Sequence, residues 1–112
     1  MRYYYTLRIH TPKKNHFYLN GLLGVTANAK NGWAYEIVEE EKDTSINFID
    51  VFLKILEGKE KDLESIGIDN SDIEFWMVYE YDDQCNIEFS PKDLIRVGEK
   101  DISLCISCYE SN

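Results

Sequence analysis

Between residues 2 and 10, Tyr3, Tyr5, Leu7 and Ile9 fall on one side of a period-two pattern, and Thr6, Arg8 and His10 on the other, which predicts a strand with one buried face. After Pro12, Phe17 or Leu19 recurs with Leu22 and Leu23 at helical intervals, and Gly24 is placed to stop a short helix over 16–23. Residues 25–30 and 33–39 flank Asn31-Gly32, the dipeptide best suited to the positive φ angles of a two-residue turn, and predict a hairpin. Asp43, Thr44 and Ser45 offer capping oxygens before Ile46, Phe48, Ile49, Phe52, Leu53, Ile55 and Leu56, an apolar stripe at 3.6 spacing that Gly58 closes. A shorter helical turn follows, with Leu63 and Ile66 inward.

Ile73, Phe75, Met77, Tyr79 and Tyr81 then alternate against Glu74 and Glu80, while Trp76 and Val78 make the middle of the second side apolar as well, as a central strand requires. Asp82 and Asp83 read as a turn, and Cys85, Ile87 and Phe89 as the inward positions of the next strand. Ser90 caps and Pro91 opens a helix whose inner face is Leu94, Ile95 and Val97, and residues 102–109 read as a final strand. The order β-α-β-β-α-α-β-β-α-β predicts one α+β domain over 1–112, with helices packed on a mostly antiparallel sheet.

Four stretches carry a family likeness: Leu22-Leu23-Gly24-Val25, the Asn31-Gly32-Trp33 turn into a strand, the helical middle ending Asp62-Leu63, and the closing run from Phe89-Ser90-Pro91 through Leu104, Ile106 and Tyr109. In order and spacing the chain resembles the small bacterial proteins of domain-of-unknown-function family 4279. That resemblance covers nearly the whole chain; it implies the fold and transfers no catalytic residue.

Composition narrows the function. In 112 residues, 12 basic and 21 acidic side chains leave a net charge of −9, which disfavours nucleic acid and anionic membrane as partners. The charge is segregated: residues 1–35 hold five basic residues and no acid, so residues 36–112 hold the other 7 basic and all 21 acidic ones, a balance of −14. An odd number of cysteines, three, and an opening without a leader-like pattern point to a reduced, cytoplasmic protein. Cys105 and Cys108 form a Cys-x-x-Cys, but on a strand two residues three apart face opposite ways. With Cys85, His10 and His16 scattered at no ligand-like spacing, neither a redox pair nor a metal site is expected, and no cofactor motif is present.

Two sets of residues remain as candidate sites. Glu74, Glu80, Asp82, Asp83 and Glu88, with Tyr79 and Tyr81 beside them, fall on the hairpin read from 73–89. Like charges on a two-stranded ribbon repel, and a cationic partner would offset that cost. This points to a non-catalytic acidic binding protein, immunity-type in style, docking a basic protein partner. The alternative is a small-molecule or anion-binding module using the basic stretch Arg8, His10, Lys13, Lys14 and His16. No enzyme activity is expected, because nothing along the chain places a nucleophile beside a general base.

Overall fold

In the computed structural model, which describes residues 2–40, 46–82 and 86–110, the alternating opening stretch becomes β1 (Arg2–Ile9). It lies inside a four-stranded sheet of order β2-β1-β3-β4. β1 is antiparallel to both β2 (Trp33–Glu40) and β3 (Ile73–Tyr81), and β4 (Ser103–Glu110) runs parallel to β3. The helices are α1 (His16–Leu23), α2 (Phe48–Leu56), α3 (Glu60–Ser65) and α4 (Pro91–Glu99). The α+β class and the helices on a mostly antiparallel sheet are as expected, with one parallel pair. Among the described residues no helix is long and apolar enough to cross a membrane.

Register turns the alternation into layers. Ile9 lies between Trp33 and Ile73, Leu7 between Tyr35 and Phe75, and Tyr5 between Ile37 and Met77. These rows make one face of the sheet. Against it, in a single core, pack Leu19 and Leu23 of α1, Phe48, Ile49, Phe52 and Leu56 of α2, Leu63 of α3 and Val97 of α4. Phe52 meets Phe75 edge-on at 5.3 Å between ring centres, and Phe48 stacks on Tyr5 at 4.7 Å. The other face carries half-buried Tyr4, Arg8, Trp76 and Val78 around Thr6.

The caps follow their side chains. Asn47 starts α2, its Oδ1 accepting the Asp50 N–H at 3.1 Å, and the Asp43–Ser45 run lies outside the described residues. Ser90 Oγ accepts the Asp93 N–H at 3.1 Å, and Pro91 fills the first turn of α4, where an absent N–H costs nothing.

Three local expectations are corrected. Residues 25–30 form no strand. The amide side chain of Asn28 stands in for one, donating to the Glu36 carbonyl at 3.0 Å and accepting the Glu36 N–H at 2.7 Å. Asn31 and Gly32 do take positive φ, 67° and 97°, but the strand they lead into pairs with β1. β1 offers Trp33 an eight-residue register and a fully buried site, whereas 25–30 has only Val25 and two alanines to bury. Residues 86–89 form no strand either, while Asp83 and Cys85 lie outside the described residues. Ile87 and Phe89 still pack on the core from an irregular segment, and the neighbour β3 acquires is β4. In α4, Val97 alone is buried; Leu94 and Ile95 are exposed.

Candidate functional site

Strand direction gathers carboxylates at one end of the sheet, where β1 begins and the other three strands finish. Arg2 sits between Glu40 and Glu80, Glu80 is next to Tyr109, and Tyr81 is next to Glu110, with exposed Asp82 just beyond. Among the described residues Arg2 reaches this group, 3.0 Å from Glu40. Tyr109 donates its hydroxyl to Glu80 at 3.1 Å.

On the helix side of the same end lies a cavity of about 350 Å³. Tyr3, Tyr5, Phe48, Phe89 and Met77 are among its walls, and Glu39, Glu88 and Asp93 supply its carboxylates. Glu39 reaches this position because, two residues beyond Ile37, it shares the core-facing side of β2. It is only 3% exposed. Tyr5 donates its hydroxyl to one carboxylate oxygen at 2.6 Å, and the Ile46 N–H donates to the other at 2.7 Å. Burial, and then the hydrogen bond to Glu39, push the Tyr5 phenol well above its ordinary pKa, so the phenol stays a neutral donor. Among the described residues no lysine or arginine forms an ion pair with Glu39. Tyr3 extends the aromatic wall, stacking on Tyr79 at 4.5 Å, and Tyr79 in turn lies 6.1 Å from Tyr81.

Of the acidic candidates, Glu80, Asp82 and Glu88 come to this end, with Tyr79 buried and Tyr81 half-buried on its helix side. They do so through separate segments, since the hairpin expected to carry them does not form. Glu74 stands apart, near the opposite end of β3. There it accepts the Trp76 indole N–H at 2.9 Å and pairs with His10 at 3.0 Å. Tyr3, Phe48 and Phe89 were read only as core positions and Glu39 was not singled out at all; the phase of the 33–39 alternation was the available signal for Glu39.

The basic candidates do not converge. Arg8 donates to the Asn31 carbonyl, His10 faces Glu74, and Lys13 and Lys14 are exposed on a short 3-10 turn. His16 opens α1 with its Nε2 buried and, among the described residues, without a hydrogen-bond partner. A second cavity, of about 330 Å³, borders Lys54, Arg96 and Lys100. Those cations are already paired, Lys54 and Arg96 with Asp50 at 3.2 and 3.1 Å and Lys100 with Glu60 at 2.7 Å. Among the described residues no three His, Cys, Asp or Glu side chains cluster as a metal would require, and Cys105 and Cys108 occupy opposite faces of β4.

The Trp76 indole N–H, and after it His10, hold the Glu74 carboxyl below its ordinary 4.5. A depressed carboxylate contributes stability that is complete above the unfolded value and is lost as pH falls through the folded one. In urea titrations from neutral pH down to about pH 3, wild type should therefore lose stability below pH 4.5 more steeply than Glu74→Gln does. Parallel pH profiles would contradict this assignment.

No family model matches the chain, and no curated protein or solved structure does.

Proposed function

We propose that this is a non-catalytic binding protein, immunity-type in style, that docks a basic protein partner through the acidic end of its sheet. A cationic side chain of that partner enters the cavity beside Glu39. The observation that carries the reading is a buried carboxylate in an aromatic-walled cavity, held by two neutral donors, with Glu88 and the Arg96-paired Asp93 on the same walls. An ionised carboxylate removed from water is costly unless a cation compensates it. A guanidinium suits this cavity best, because it is planar, donates in a fork that matches carboxylates, and stacks on aromatic faces. The net charge of −9 gives such a partner a long-range attraction before contact.

The partner is to be isolated by co-purification at low salt and its association followed by stopped flow. Association should slow with added salt, and the double substitution Glu80→Lys with Asp82→Lys should slow it by at least about tenfold. Unchanged association in that variant would overturn the proposal.

A further inference from the structure

We propose that β4 is a self-association strand: two copies of the chain pair their β4 edges antiparallel about a two-fold axis, joining two four-stranded sheets into one. The two edges of the sheet are unlike. Along the outer side of β2, Asn28 bonds the N–H and carbonyl of Glu36, and the N–H groups of Asn28 and Ala29 both reach the Ala34 carbonyl. The first half of that edge, at Ala34 and Glu36, is therefore already occupied. β4 is the other edge, and among the described residues no strand lies on its outer side.

Before Glu110, β4 carries none of the residues that ordinarily guard an edge. Exposed edge strands are ordinarily protected by lysine, proline, bulges or brevity. β1 carries Arg2 and Arg8, β2 carries Glu36, Glu39 and Glu40, and β3 carries Glu74 and Glu80. β4 runs eight residues, Ser-Leu-Cys-Ile-Ser-Cys-Tyr-Glu, with no charge before Glu110 and neither proline nor glycine. Large apolar side chains are left uncovered on this part of the fold. Ile106 is 46% exposed on β4, and Ile95 is 57% exposed on α4, the helix that leads into it.

The occupant follows from charge and symmetry. An edge row of N–H and C=O groups takes a strand. Two copies each at −9 repel wherever carboxylates meet, and β4 is the strand on which they can approach without opposing like charges. Antiparallel pairing about a two-fold is self-complementary and closes, so both edges are satisfied in one step. With Ile106 opposite its own mate, Leu104 falls opposite Cys108 on the helix side, while Cys105 falls opposite Ser107 and Ser103 opposite Tyr109 on the open side. No like charges face each other in that register.

Sedimentation equilibrium tests this apart from the docking proposal, because salt acts in the opposite direction. Screening the mutual repulsion of two acidic copies should tighten the dimer as salt rises, whereas partner docking weakens. Ile106→Lys and Ser107→Lys should each weaken the dimer by at least about tenfold with unchanged circular dichroism. Amide exchange over 103–110 should slow as protein concentration rises. A monomer at every concentration and salt would overturn the proposal, as would a dimer indifferent to both lysines. Protection of β4 that appears only when another protein is added would assign the edge to that protein and overturn it equally.

Discussion

Trp33→Ala is expected to lower the unfolding free energy by about 3–5 kcal/mol. Trp33 is fully buried where β2 begins, opposite Ile9. Its indole N–H donates at 2.9 Å to Asn20 of α1, and the same Asn20 oxygen accepts the Ala27 N–H at 3.1 Å. One side chain thus ties α1, the segment after it and β2 to a common point, and truncation leaves a void that a core closed by Leu7, Ile9 and Leu19 collapses into only in part. Against a stability of roughly 5–15 kcal/mol for a domain of this size, that is about a fifth of the total or more. The thermal midpoint should drop by at least about 10 °C. Trp33→Phe keeps a ring in the site and loses one hydrogen bond, so its cost beyond packing should be about 1 kcal/mol. A Trp33→Ala cost below about 1 kcal/mol would contradict this view of the core.

The second large effect belongs to Glu39, where the two obvious substitutions should separate. Glu39→Leu leaves the Tyr5 hydroxyl and the Ile46 N–H without their acceptors. Each unsatisfied buried group costs about 1–3 kcal/mol, offset in part by the added apolar side chain. Glu39→Gln can keep both contacts, its carbonyl accepting from Ile46 and its amide donating to the Tyr5 oxygen, since a phenol both donates and accepts. Urea unfolding at neutral pH should therefore rank wild type and Glu39→Gln close together and Glu39→Leu well below them. If the glutamine variant were as unstable as the leucine one, the charge of Glu39 would be serving the fold itself, and the case for a cationic ligand would weaken.

Period-two alternation was enough to place β1 and β3, and 3.6 spacing to place α2, because long segments with a continuous apolar face have one way to bury it. Strand partners were less legible. The Asn31-Gly32 dipeptide reported its own backbone angles faithfully but not the identity of the partner, since β2 gains more by pairing with β1 than with the weakly apolar residues 25–30. The stretch around Ile87 and Phe89 looks like a strand because it buries alternate residues, yet it buries them as an irregular segment. The acidic candidates were chosen on a hairpin, and several reach one end of the sheet because strand direction, not adjacency in the chain, brings them there. Glu39 was obscured by its context, the third-last residue of an acidic run whose neighbour Glu40 is exposed. Only the phase of β2 turns it inward.

The most direct measurement is a chemical-shift titration of the isotope-labelled protein with N-acetyl-arginine amide, using the uncharged isostere N-acetyl-citrulline amide as control. In wild type, arginine should saturably move the resonances of Tyr3, Tyr5, Phe48 and Phe89, citrulline should not, and Glu39→Gln should weaken the response by at least about tenfold. Equal responses to the two probes, or an arginine response that survives in Glu39→Gln, would contradict the proposed role of the cavity.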